Sequence, residues 1–236
     1  GVEHEHLSTY AQRLTDRLEK VVLDAVAARQ PGRLAWTQGT VDFAANRRVL
    51  TAGNWTGVGA VPAGPVDHSL PLLRVTDADD QLIAVVVNYA CHCTTLRGDF
   101  TRIHGDWAAC AQESIEADHP GAVALVTIGC GADSDPCPHG TVDLCERHGR
   151  ALADEVNRLL KGQFRAVDPK LVARSHPLEV AYAKSPPRNE LKQRVGGSWA
   201  LEDLNGQLER GERLPTSETL QVATWVFGTD LAMVFL

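Results

Sequence analysis

Four short stretches of this chain combine residue types that can do chemistry. In the first, His92 stands between Cys91 and Cys93 at the end of an apolar run. Imidazole and thiolate both ligate divalent metals, and imidazole is also the commonest general base. Period-two geometry on a strand over residues 82–93 sends Val85, Val87, Tyr89, Cys91 and Cys93 to one face. Val86, Asn88, Ala90 and His92 go to the other, so Cys91, His92 and Cys93 do not share one metal while the strand stays regular. The imidazole therefore stands alone at the carboxyl end of a strand, followed by Thr94-Thr95 and Gly98-Asp99. That is where open α/β sheets bind ligands, although a lone histidine there is more commonly a hydrogen-bonded structural residue.

The second stretch is Gly129-Cys130-Gly131-Ala132-Asp133-Ser134-Asp135-Pro136, directly after another apolar run. Its glycines permit close backbone approach, and Cys130 or Ser134 becomes a nucleophile if a base such as His92 lies beside it. A tight turn with capping polar groups accounts for the same residues equally well. The third is Asn46-Arg47-Arg48, read as a loop after a short strand, whose guanidinium fork suits an oxyanion or a carbonyl, though two adjacent loop arginines are usually solvated. We take Arg47 and Ser134 as catalytic candidates and Asn46, Gly131 and Asp133 as substrate-contacting ones. The fourth, His4-Glu5-His6, chelates a metal in principle, but its place at a helix entry favours an exposed pair.

These stretches need elements to hold them. Apolar residues at Leu7, Tyr10, Leu14, Leu18, Val21, Val22 and Val26 recur at helical spacing and predict an amphipathic helix. A short strand is expected over 34–38, and the Gly- and Pro-rich stretch 51–65 reads as a surface loop, since Pro62 and Pro65 stand where a phosphate cradle would need a helix. Apolar runs 72–76 and 82–90 around Asp77-Ala78-Asp79-Asp80 predict a β-hairpin whose turn carboxylates are solvated and complete no EF-hand spacing. Asp106 is the expected N-cap of a helix to about residue 117, followed by a strand over 122–128. Thr141 is the expected N-cap of a second helix, over 142–161. Further strands are expected over 178–182, 220–227 and 231–236, with a helical patch at 201–208 inside a polar excursion or lid over 184–215. Strand, helix, strand, helix predicts an α/β fold, a layered strand-helix domain with a mixed β-sheet and chemistry on the loops after strands.

The chain has 236 residues, 44% of them hydrophobic, and we read it as one domain. Its net charge of −7 and scattered basic residues leave no stripe to track nucleic acid. No apolar run approaches the roughly 20 residues that span a bilayer. Six cysteines without a Cys-x-x-Cys support neither a zinc finger nor a thioredoxin-like motif. The start at Gly1 and the end within an apolar run, of a kind normally buried, lead us to expect a fragment truncated at both ends.

In order along the chain, ANRRV (45–49), LPLLRVTDADDQLIAVVVNYACHCTTL (70–96), GDWAACAQ (105–112), ALVTIGCGADSDP (124–136) and TDLAMVFL (229–236) resemble the N-terminal domain of the neutral, non-lysosomal ceramidases and their bacterial relatives. The resemblance spans most of 7–162 and implies a ceramidase-like fold over 1–236, with 163–236 adding strands and the excursion. It implies a zinc-dependent hydrolase of the amide bond in an N-acylated, ceramide-like lipid. By the same resemblance His92 falls on a zinc histidine, Arg47 on the active-site arginine and Ser134 on a serine implicated in catalysis, although the Pro-Asn that follows that serine in the family is absent. The family's His-Thr-His motif and its zinc glutamate have no match here. The resemblance therefore implies Zn2+ whose remaining ligands lie outside these 236 residues, an inactive fragment when alone, and a secreted or periplasmic protein. A membrane surface stays open as a contact. Two alternatives are a non-catalytic lipid- or glycan-binding relative and a metal-free Cys/Ser hydrolase.

Overall fold

The computed structural model describes residues 2–182 and 199–236, the side chains of residues 2–5 and 199–201 excepted. The Cα trace divides into two compact units, residues 1–167 and 168–236, where the sequence reading has a single domain.

The first unit opens with helix α1 (Val2–Ala27), whose apolar stripe is exposed, Leu7 at 65% and Val21 at 64%. Strands β1 (Arg33–Thr40), β2 (Ala44–Thr51), β3 (Asn54–Val61), β4 (Ser69–Thr76) and β5 (Leu82–Tyr89) follow. Next come helix α2 (Asp106–Asp118), strand β6 (Val123–Ile128), the short strand β7 (Ser134–Pro136), helix α3 (Val142–Leu160) and the two-residue β8 (Arg165–Ala166). The fold is α/β with a mixed sheet, as the strand-helix alternation predicts: the order is β6-β5-β4-β1-β8, parallel between β5 and β6 and antiparallel elsewhere.

One face of this sheet is the core. Val85, Val87 and Tyr89 alternate inward along β5, each at most 1% exposed, and meet Ala111 and Ile115 of α2 and Leu152 and Val156 of α3. The two helices approach so closely that a Cβ on Gly149 would lie 2.5 Å from the Cys110 Cβ. The opposite sheet face leaves Val123 and Leu125 about half exposed. Thr141 caps α3 as expected, its side chain accepting from Leu144 N.

Several sequence expectations need correction. Asn46, Arg47 and Arg48 lie inside β2, and residues 54–61 of the expected surface loop form β3, which pairs with β2 across the two-residue turn Ala52-Gly53. The cross-strand ladder satisfies these backbone groups, and local composition does not reveal it. Asp106 is the first residue of α2 and its carboxylate does not cap that helix in the usual way. It accepts instead from Thr95 N, Leu96 N and Trp107 N at 3.1, 2.9 and 2.8 Å. Strand β5 stops at Tyr89, so His92 sits in the loop beyond it.

The second unit is a three-stranded antiparallel sheet, order β11-β10-β9, of β9 (Leu171–Ala181), β10 (Ser217–Phe227) and β11 (Leu231–Phe235), with helix α4 (Trp199–Glu209) between the first two strands in sequence. Pro177 is tolerated because β9 is an edge strand. The final apolar run, expected to be buried, is the other edge, with Val234 at 63% exposure. Part of the anticipated lid, residues 183–198, lies outside the described residues.

Candidate functional site

The site forms where three chain segments meet at the end of the five-stranded sheet. Tyr89, the last residue of β5, begins the assembly: its hydroxyl donates to Val41 O at 2.8 Å and accepts from Ala44 N at 3.1 Å, both fully inside the core. Burial raises its pKa well above the ordinary tyrosine value, so the phenol keeps its proton for the Val41 bond. These two bonds fix the entry to β2, and β2 in turn pairs with β7 in the register Asn46 to Ser134 and Ala45 to Asp135. Arg47 is thereby carried to the loop that follows β6.

His92 reaches the same loop from the other side. Its backbone N donates to Ser134 O at 3.0 Å and its carbonyl accepts from the indole Nε1 of buried Trp107 at 2.9 Å. Its Nδ1 lies 2.7 Å from Gly131 O and 3.2 Å from Ser134 O. Carbonyl oxygens only accept, so Nδ1 carries the proton and Nε2 holds the lone pair. That lone pair faces Arg47 Nη2 at 3.2 Å.

Arg47 is held at four points. Its backbone N donates to Asp133 O at 2.7 Å, its Nε to Ala132 O at 3.1 Å, its Nη1 to Asp135 Oδ1 at 3.1 Å and its Nη2 to His92. Asp135 Oδ1 also accepts from Thr94 Oγ1 at 3.0 Å, and Arg48 Nη2 donates to the same Ala132 carbonyl. The Arg47 and Asp135 side chains are only 20% and 18% exposed, so screening is weaker here than at a surface pair.

The remaining candidates brace this arrangement. Gly131 leaves no room for a side chain, since a Cβ would lie 2.6 Å from the backbone of Ala90 and Cys91. Asn46 is 4% exposed, donates to Pro65 O and Asp133 Oδ2, and accepts from Arg48 N. Ser134 is 1% exposed, and its Oγ donates to Asp133 Oδ1 at 3.2 Å. Neither ring nitrogen of His92 hydrogen-bonds Ser134 Oγ or Cys130, so the geometry gives Ser134 a positioning place and pairs no nucleophile with this imidazole. All six cysteines are free thiols, and burial pushes Cys91 strongly upward. Of the fourth stretch, the side chains of His4 and Glu5 lie outside the described residues and His6 is exposed.

A cavity of about 20 Å³, roughly the room of one water, lies beside the cluster and is lined by Asn46, Arg47, Arg97, Asp135 and His139 among others. The structure thus brings together all six predicted site residues. The pairing partners Thr94 and Asp135 were not among those candidates, nor were Arg97 and His139 at the cavity wall. Thr94 carried a signal, standing two positions after His92; nothing in the sequence links Arg97 to His139.

No family model and no curated protein matches the sequence. Among solved structures, the neutral ceramidase of Pseudomonas aeruginosa superposes with a TM-score of 0.60 at 17% identity, covering 87% of this chain. A ceramidase complexed with C2 gives 0.57 at 16% identity over 84% of this chain. The chain has a ceramidase-like fold. It spans 40% of the length of each of those chains.

The residues present do not by themselves fit a zinc ion. Among the described residues no three His, Cys, Asp or Glu side chains converge, and the one nitrogen prepared for a metal, His92 Nε2, faces a guanidinium.

Proposed function

We propose that this chain forms one wall of the active site of an amide hydrolase acting on N-acylated lipids. The observation that carries the reading is the convergence of Arg47 and His92, from segments far apart in sequence, onto one loop at the end of a ceramidase-like sheet. Arg47, aimed by Asp135, Thr94 and Ala132, offers N–H donors to the oxyanion that forms when an amide carbonyl is attacked. Ser134 and Asn46 hold the Asp133 carboxylate, and with it the loop. The carbonyl contacts of His92 Nδ1 orient the ring and leave Nε2 as the donor we assign to zinc, as carbonyls commonly do behind metal-bound histidines. The other zinc donors then come from outside the described residues. The name of the similar bacterial structure, a neutral ceramidase, supports a ceramide-like amide as the substrate.

A second reading is favoured by one contact. The Arg47 to His92 bond occupies the free nitrogen, as a non-catalytic relative that binds an acylated ligand without metal would require. Bound zinc and hydrolysis of an N-acyl sphingoid amide, measured in the protein that supplies the remaining zinc donors and in its His92→Ala and Arg47→Ala variants, separate the two. The hydrolase reading expects Arg47→Ala to lower kcat by about 100-fold with zinc retained, and His92→Ala to lose zinc. Unchanged zinc content in His92→Ala overturns the ligand assignment, and metal-free binding of the amide without turnover establishes the second reading.

A further inference from the structure

A second and larger cavity opens beside the cluster, between the loop after His92 and the start of α2. It has about 300 Å³ of free volume and is lined by Arg97, Phe100, Arg102, His104 and Asp106 among others. Arg97 also lines the small cavity at Arg47, so this one side chain borders both spaces.

The electrostatic balance of the larger cavity is one-sided. Among the described residues neither Arg97 nor Arg102 has a carboxylate partner: Arg97 Nε donates to His139 Nδ1 at 3.2 Å and its Nη2 meets Nε2 of the same ring, and Arg102 lies over the Phe100 ring at 5.3 Å. The one acid in the wall, Asp106, is 4% exposed and its two oxygens are taken by the backbone N–H groups of Thr95, Leu96 and Trp107. No ion pair ties Asp99, in the same loop, to either arginine. His104 Nδ1 accepts from Asp106 N at 2.9 Å, which turns its Nε2 away from that backbone as a further donor. Two guanidinium groups in one concave space, with no internal anion to satisfy them, match an oxyacid group of a ligand, and their planar forks suit carboxylate or phosphate.

We propose that this cavity binds an anionic group, carboxylate or phosphate, on the amine side of the N-acyl substrate, with Arg97 and Arg102 as the residues that select it. The inference rests on the amide-hydrolase reading for the acyl half of the ligand. It adds the substrate class: an N-acylated amine bearing an acidic head group, in place of a neutral one.

Three short, soluble probes test it by titration calorimetry on the chain: N-hexanoylglycine, N-hexanoyl-O-phosphoethanolamine and the neutral N-hexanoylethanolamine. At least one anionic probe is expected to bind about tenfold or more tightly than the neutral one, with the preference shrinking as salt is added. Which anionic probe wins distinguishes carboxylate from phosphate, and inorganic phosphate is expected to compete with it. The Arg97→Ala, Arg102→Ala double variant, which changes only exposed side chains and whose folding circular dichroism verifies, is expected to bind all three alike. Equal binding of charged and neutral probes by the unaltered chain, or a preference that survives in the double variant, overturns the proposal. Binding without hydrolysis by the chain alone is expected, because the reading places the other zinc donors outside the described residues; intact probes after incubation with the zinc-bearing protein that supplies those donors would overturn the amide-hydrolase reading and leave the anion site standing.

Discussion

The two compact units treat similar apolar sequences in opposite ways. In the first, the inward residues of β5 are sealed beneath α2 and α3, and the chain uses that rigidity to hold Arg47, His92 and the 129–136 loop within hydrogen-bonding distance. In the second, Leu178, Val180, Leu220, Trp225 and Val234 stand on a three-stranded sheet at exposures of 40% or more, and no candidate site residue lies there. Buried area close to fixed side chains gives positional precision; an apolar sheet without that cover gives none. The contrast predicts where the molecule resists change and where it does not.

The largest effect is expected at Trp107. It is 0% exposed, meets Phe43 and Tyr89 edge-on, and its indole nitrogen holds the His92 carbonyl. Trp107→Ala should cost about 3–5 kcal/mol, combining a large cavity with a lost buried hydrogen bond. Urea denaturation read by circular dichroism measures it, and a loss below about 1 kcal/mol would show that α2 does not brace the site as the packing implies. Tyr89→Phe comes next. It removes one hydroxyl and leaves Ala44 N and Val41 O without their partner, for about 1–3 kcal/mol. Because those bonds anchor β2, weaker ligand binding should accompany the loss of stability; a stability loss with unchanged binding would uncouple Tyr89 from Arg47.

A pH effect of the same unit follows from His148. Its ring stacks on Phe43 at 4.5 Å and its Nε2–H donates to Pro138 O at 2.7 Å, while burial holds its pKa below the ordinary histidine value. The unfolded chain, with an unperturbed imidazole near about 6.5, binds the proton more readily than the folded one. Stability is therefore complete above that value and falls as pH drops through it toward the lower folded pKa. His148→Gln, which keeps a donor for Pro138, should flatten the dependence of the denaturation midpoint between about pH 7 and 5; an unaltered slope would assign the dependence to other groups.

Much of this arrangement was legible in the residues. The alternation along 85–91 gave the buried face of β5 correctly, Thr141 marked the start of α3, and the strand-helix order gave the α/β fold with its mixed sheet, although His92, read as part of the strand, lies in the loop beyond it. What the sequence hid was long-range pairing. Arg47 read as a loop residue because two arginines and a glycine-rich sequel carry no strand signal, yet β2 exists through its ladders with β3 and β7. Asp106 read as a cap because an acid before a helix usually is one, whereas its carboxylate serves the loop at 95–96. The contact of Arg47 with His92 depends on both of those tertiary facts, and no local spacing encodes it.

The smallest expected effect is the one that tests the contrast most directly. Val180 in β9 is chemically the counterpart of Val87 in β5, but it is 41% exposed where Val87 is 1% exposed. Val180→Ala should change stability by no more than about 0.5 kcal/mol, because little packing is lost and no cavity is made. Val87→Ala is expected to cost about 2 kcal/mol by the same denaturation measurement. A matching loss at Val180 would mean that its sheet face is covered in solution. Dilution then distinguishes the cover: a cost that fades as the protein is diluted identifies a second copy of the chain, since only association makes stability depend on concentration. A cost that persists at every concentration places the cover within the same molecule, and the exposed sheet would then be as much a part of the folded core as β5.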